Sequence, residues 1–341
     1  MKKKIAIVTS GVGTQCGGIG VVTEMMVSAL SPDHDVAIWV HPPFWPRLLR
    51  ISLVTWRTLW GSLRRPDVVI YDHVHLAVLH ALIPWLAGVP YVVFLHGVEV
   101  WEPLHGRRRQ ALLRANLLLT NSATTESAAR TVNPWLPPVK VTWLGVPHQD
   151  QPADVSSAPA VGLIVGRMVD HERYKGHDAI MDAWPRIRAA IPDAKVLILG
   201  KGNDAARLRT RVENENLEGM QFLGYVGDAE RDRIYRSCRL LFLASKGEGF
   251  GLAATEAASF GVPVLGLAGT VTEELFPSGT GALLATDLDG ESIAQAAIPV
   301  LGDPQLAAEL GRAGRSRVES LFLEQHFIER FRAAFLPLIS S

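Results

Sequence analysis

Residues 240–267 read LLFLASKGEGFGLAATEAASFGVPVLGL. An apolar run of strand length, 240–244, opens the stretch. A loop with Gly247, Gly249 and Gly251 follows, and then a helix-forming run that ends at Gly261. A second apolar run, 262–267, begins at once. Strand, glycine loop, helix and strand make a βαβ unit whose two strands lie parallel. The glycines let backbone approach a ligand closely. A helix starting near Gly251 turns free N–H groups and a positive dipole end toward the loop, which suits a diphosphate. Glu248 sits in the loop, where it can accept hydrogen bonds from hydroxyls. Glu256 sits just over one turn into the helix and reaches a different part of such a ligand. The plain alternative is a glycine-rich turn flanked by two solvated glutamates.

The same alternation extends through the chain. Apolar, β-rich runs lie at 5–9, 36–40, 68–71, 91–95, 117–120 and 140–143. A second set lies at 161–165, 195–199, 220–223, 240–244 and 262–267. Amphipathic stretches separate most of them, so the fold class is α/β with parallel sheets covered on both faces. Residues 147–159, PHQDQPADVSSAP, lack periodic hydrophobics and have a linker composition. Two doubly wound, Rossmann-like domains are therefore expected, 1–150 and 151–341. Residues 321–338 read as a last helix, free to pack back on the N-terminal domain. In such folds ligands bind at the carboxyl ends of the strands, and a cleft between two domains is the default site.

Bulk composition agrees. A chain of 341 residues with 48% hydrophobic and 20% charged residues is globular and long enough for two cores. Zero formal net charge argues against nucleic acid as a partner. The balance is uneven: residues 1–149 carry 14 Lys+Arg against 8 Asp+Glu, the remainder 20 against 26, so the first half suits anionic surfaces or substrates. Cys16 and Cys238 form no metal-binding pattern and do not require a disulfide, and no cofactor is implied. The start, MKKKIAIVTS, is too short in its apolar run for a signal peptide, so a cytoplasmic location is expected. Residues 74–98 hold no acid or base, yet their Gly88-Val89-Pro90 turn divides them into a helix-like 76–87 and a strand, which opposes a membrane span.

At the Glu248–Glu256 loop the chain resembles glycosyltransferase family 4, which places Glu, seven residues and Glu at this strand–loop–helix position. The resemblance covers nearly the whole chain. It implies the GT-B fold and a retaining, metal-independent transferase moving a hexose from a GDP- or UDP-sugar to a hydroxyl acceptor, in the first domain, with the donor held by the second. By that resemblance Glu248 and the backbone of Gly249, Phe250 and Gly251, with Leu252 beyond, meet the donor sugar, and Glu256 meets the ribose. Gly166 and Arg167 follow the run VGLIV, and Lys175 lies eight residues past Arg167. The family grips the diphosphate with such an Arg and Lys, and fixed cations there stabilise a leaving group that gains charge. The spacing is slightly longer than the usual family one, read as a loop extension. Tyr225 and Val226 match the segment that flanks the nucleobase.

In the first domain His96 follows the run YVVFL, where the family has a His near the reacting sugar. Glu99 is a candidate acceptor contact, and Gly17-Gly18 resembles the glycine pair that closes on the diphosphate. Three rivals stand beside this reading. A dinucleotide fold needs a small third residue after Gly11 and Gly13 and an acid after the second strand, but the chain has Cys16 and His41-Pro42-Pro43. A nucleotide-sugar epimerase needs an acid constellation that is not legible. A non-catalytic relative sits poorly with Arg167, Lys175, His96, Glu248 and Glu256 all being present.

Residues 44–67 carry Trp45, Trp56 and Trp60 with five arginines and no acid before Asp67. Leu49, Leu53, Trp56 and Trp60 fall on one helical face. A basic amphipathic helix of this kind suits the anionic inner face of a membrane and a lipid-linked acceptor, and equally a core-facing helix with an arginine-rich outer side.

Overall fold

The computed structural model describes residues 2–13, 17–40 and 65–340. Cys16 and the basic stretch 44–64 lie outside them. The chain divides into two compact units, Met1–Leu144 with Glu324–Ser341, and Gly145–Leu323.

The first unit is a six-stranded parallel sheet ordered β2-β1-β3-β4-β5-β6. Its strands are β1 (Lys4–Thr9), β2 (Asp35–Val40), β3 (Val68–Tyr71), β4 (Tyr91–Leu95), β5 (Leu117–Thr120) and β6 (Val139–Val141). Strands β3 and β4 are buried throughout, as continuous apolar runs in a parallel sheet should be. Among the described residues its longer helices before the last are α1 (Gly18–Leu30), α2 (Gly106–Leu113) and α3 (Ala123–Val132). The stretch read as helix-like at 76–87 forms a short helix, Val74–Ala77, then 3-10 turns at Val78–Leu82 and Pro84–Leu86. Pro84 lacks the N–H that would carry an α-helix through.

The second unit has a parallel sheet ordered β12-β11-β10-β7-β8-β9. Its strands are β7 (Val161–Val165), β8 (Lys195–Leu199), β9 (Met220–Gly224), β10 (Leu240–Phe242), β11 (Val264–Leu267) and β12 (Ala282–Ala285). Helices α4 (His177–Ala190), α5 (Ala205–Asn214), α6 (Asp228–Ser237), α7 (Leu252–Ser259), α8 (Val271–Leu275), α9 (Gly290–Gly302) and α10 (Pro304–Leu321) complete it. Trp184 is fully buried, its indole N–H donating to the Glu218 carbonyl at 2.7 Å. The stretch 147–159 lies on this unit: Val155 and Ala158 are buried, and Arg315 donates to the Gln149 carbonyl at 2.6 Å.

The last helix, α11 (Glu324–Ser340), packs on α1 in the first unit. Phe327, Phe331 and Phe335 recur every four residues, stack on one another and are fully buried. Arg332 anchors the helix with an ion pair to Asp33 and a bond to the Ala29 carbonyl at 2.9 Å. Among the described residues no helix is long and apolar enough to cross a membrane.

Candidate active site

In each sheet the strand order reverses once, and loops diverge there to open a crevice at the carboxyl ends of the strands. In the second unit the reversal lies between β7 and β10. The loop after β7 carries Gly166 and Arg167, and the loop after β10 carries Glu248. A 3-10 segment, Asp170–Lys175, brings Lys175 across, so that its ammonium donates to Glu248 Oε2 at 3.2 Å. Both side chains are half-buried. Arg167 donates to Glu172 Oε1 at 2.6 Å, and most of the arginine side chain stays exposed.

Two glycines make this convergence possible. Gly176 has φ 81°, and a Cβ there would lie 1.9 Å from the Ala244 carbonyl oxygen, so the Lys175 loop touches the end of β10 backbone to backbone. Gly251 caps α7 with φ 83°, which turns the chain sharply from Glu248 into the helix. Phe250 is buried beneath that turn, and the loop leaves Glu248 and Gly249 half-buried. Leu252 opens α7 beside them.

Glu256 lies one turn further, where the Tyr235 hydroxyl donates to its Oε2 at 2.9 Å and Arg231 Nε stands 3.8 Å away. Burial pushes the Glu256 carboxyl up, while Arg231 and Tyr235 pull it down. Arg231 Nε is itself buried with no hydrogen-bond partner among the described residues. Tyr225 and Val226 follow β9; Tyr225 is 52% exposed, with the Lys201 ammonium 4.6 Å from its ring centre.

In the first unit the reversal lies between β1 and β3, and the residue that follows β3 is Asp72. The sequence reading passed over it. Its Oδ2 lies 2.5 Å from the Thr9 hydroxyl and accepts from the Ser10 amide at 3.2 Å. Its Oδ1 is buried without a partner among the described residues. Burial raises the Asp72 pKa to about 6, and the nearby Glu99 charge adds to the rise.

His96, at the end of β4, points its Nε2 at the Asp72 carbonyl at 2.6 Å. A carbonyl only accepts, so Nε2 carries the proton and Nδ1 is left as the acceptor. Burial lowers the His96 pKa to about 4, so the ring is neutral near pH 7. Glu99 Oε1 accepts from the His96 amide at 2.5 Å, and Asn121 donates to the His96 carbonyl at 2.9 Å. His96 is thus clamped on three sides, and Glu99 serves partly as its brace. Gly17 and Gly18 are exposed at the start of α1. Among the described residues no three His, Cys, Asp or Glu side chains gather as a metal-binding set.

Two parallel six-stranded units with chemistry at their strand ends define the GT-B class of glycosyltransferase fold. Residues 149–317, which lie within the second unit, match the family of group 1 glycosyl transferases. The resemblance to family 4 read from the Glu248–Glu256 loop is borne out.

A GDP-mannose-dependent monoacylated alpha-(1-6)-phosphatidylinositol monomannoside mannosyltransferase of Corynebacterium glutamicum is 31% identical over 154 residues, 43% of this chain and 40% of that protein. A glycogen synthase of Mycobacterium tuberculosis is 30% identical over 279 residues, 76% of this chain and 66% of that protein. The chain therefore spans less than two thirds of the length of these relatives. The sucrose-phosphate synthase of Thermosynechococcus elongatus shares the fold, with TM-score 0.80, 19% identity, and coverage of 99% of this chain and 100% of that one.

Proposed function

We propose that the protein is a retaining, metal-independent glycosyltransferase that moves a hexose from a GDP- or UDP-sugar to a hydroxyl acceptor. The observation that carries this is the meeting of Lys175 and Glu248 at the switch point of the second sheet, with Arg167 and the start of α7 beside them. Cations and helix N–H groups suit a diphosphate, and a carboxylate beside them suits sugar hydroxyls. Glu256, supported by Tyr235, takes the ribose, and Tyr225 and Val226 flank the base. Gly166 leaves open space after β7 for the phosphates, since a Cβ there would meet nothing within 4 Å.

The first unit takes the acceptor. The carbonyl of the buried Asp72 orients His96, which contributes a neutral ring, and Glu99 braces it. In the transfer the bond from the sugar's anomeric carbon to the diphosphate breaks, and the acceptor oxygen bonds to that carbon on the same face. The acceptor proton goes to the leaving phosphate oxygen. Lys175 and Arg167 stabilise the charge that the phosphate gains, which fixed donors do best because they need no rearrangement. The proposal includes a cytoplasmic location and an anionic membrane surface met through 44–67, on the composition of that stretch.

The test is thermal unfolding of the purified protein with UDP-, GDP- and ADP-sugars and NAD(P), without added metal. A ligand at about 100 times its Kd adds roughly 2.7 kcal/mol, a shift of a few degrees. A shift with one nucleotide-sugar class supports the donor site, and the anomeric configuration of the product by NMR tests retention. A shift with NAD(P) alone overturns the reading.

A further inference from the structure

A cavity of about 940 Å³ opens in the first unit, away from Asp72 and His96, between the turns at Val78–Leu82 and Pro84–Leu86 and helix α2. This is at the upper end of the roughly 300–1,000 Å³ typical of small-molecule sites. Several polar atoms of its walls already have partners. The Tyr91 hydroxyl donates to the Ala111 carbonyl at 2.6 Å, and the Tyr71 hydroxyl and His80 Nδ1 share a hydrogen bond at 3.0 Å. Asn116 Oδ1 accepts from the Tyr91 amide at 3.0 Å, and Arg65 donates to the Ala87 carbonyl at 2.7 Å. What an occupant meets is mostly carbon: Ala81, Leu82 (54% exposed), Ile83 and the stacked rings of His80 and Tyr91.

The rim is the opposite. Arg107, Arg109 and Arg114 line the cavity, all exposed, and none has an ion-pair partner among the described residues. The sequence offers none nearby in the chain, for no Asp or Glu occurs between Glu102 and Glu126 or between Asp35 and Asp67. Unpaired guanidinium groups are the usual receptors for phosphate, and their stems cover apolar surface while the heads face water. A floor that is mostly carbon suits a hydrocarbon chain better than the backbone of an acidic peptide.

We propose that this groove binds a lipid phosphate, its hydrocarbon chain along Ala81, Leu82 and Ile83 and its phosphate on Arg107 and Arg114. This rests on the reading of the first unit as the acceptor half, and it makes the acceptor, or its carrier, a lipid phosphate.

The test is calorimetric titration of the full chain with dodecyl phosphate below its micelle concentration, beside inorganic phosphate and phosphatidylglycerol vesicles. One saturable dodecyl phosphate site is expected, with inorganic phosphate binding far more weakly. Ala81→Trp, which fills the groove, and Arg107→Gln with Arg114→Gln should each weaken binding by about tenfold or more. Leu82→Asp, at an exposed position, gives the same answer if Ala81→Trp lowers the melting temperature.

Unchanged affinity in Ala81→Trp and Leu82→Asp overturns the proposal, as does equal affinity for inorganic phosphate. Binding to vesicles without binding to the monomeric lipid overturns it too, since a surface would then be the site. Nucleotide sugars titrated into the same samples separate the two readings. Nucleotide binding without dodecyl phosphate binding sinks the groove alone, and the reverse sinks the transferase alone.

Discussion

Lys175 and Glu248 lie 73 residues apart in sequence and 3.2 Å apart in space. In the proposed transferase, each holds the other where a phosphate and a sugar would be met. A leaving diphosphate competes with Glu248 for the ammonium, and it competes best when its charge is greatest. Lys175→Ala should therefore lower kcat by about 10²–10³ while changing nucleoside diphosphate affinity much less. Steady-state kinetics beside equilibrium titration check this. Equal losses in both would assign Lys175 to simple ground-state binding.

Glu248 should govern the sugar and not the nucleotide. Glu248→Ala is expected to erase discrimination between hexose epimers of the donor and leave the free nucleoside diphosphate within a few-fold of its original Kd. Competition titrations with paired nucleotide sugars read this directly. A collapse of nucleotide binding would show instead that the carboxylate is needed to place Lys175.

The alternation of apolar runs made the parallel sheets legible, and eleven of the described strands overlap their expected ranges closely enough to set the topology of both units. β12 was missed because its sequence, ALLA, has the residues of a good helix former and only its pairing with β11 makes it a strand. β11 starts at Val264, later than read, because Pro263 has no N–H to give a ladder. The glycine loop of the second unit was legible because its chemistry is local: Glu248, Gly251 and Glu256 lie within one turn and one helix. Asp72 was not, because its burial and its lone oxygen arise from β1 and β4, far away in sequence. One signal did point to it: an acid directly after the apolar run VVIY, at the carboxyl end of a strand. Tyr235 and Arg231 escaped for the same reason, since their role is to reach Glu256 from another helix.

The Lys175 loop should tolerate no side chain at its pivot. In Gly176→Ala a Cβ meets the Ala244 carbonyl at 1.9 Å with φ at 81°. An L residue in the left-handed region costs about 1–2 kcal/mol, and overpacking costs about 1–3 more. A loss of roughly 2–5 kcal/mol is expected, against less than about 1 kcal/mol for Gly227→Ala, whose added Cβ meets nothing within 4 Å. Because a chain of two units need not unfold in one step, the transition to follow is the one that nucleotide binding shifts. Similar effects of the two substitutions would mean the Lys175 loop is looser than its geometry implies.

Asp72 should make stability depend on pH with an unusual sign. The Thr9 hydroxyl lies 2.5 Å from its Oδ2 and 2.6 Å from the Gly11 carbonyl, and has one hydrogen for both. A proton on Asp72 resolves the conflict by letting the acid donate to Thr9, in accord with a pKa raised to about 6 from 3.8. Between those values the folded protein holds more protons than the unfolded chain, so this group's contribution falls as pH rises. His96, held down to about 4, works the other way and adds stability as pH rises from about 4 to 6.5. Asn in place of Asp72 mimics the protonated acid at every pH and removes only the falling part. Asp72→Asn should therefore gain about 2 kcal/mol relative to the natural protein between pH 4 and pH 7, measured as the change in their stability difference by denaturant unfolding. A stability difference that stays constant with pH would mean that burial does not hold a proton on Asp72 in this range and that the carboxylate shares none with Thr9.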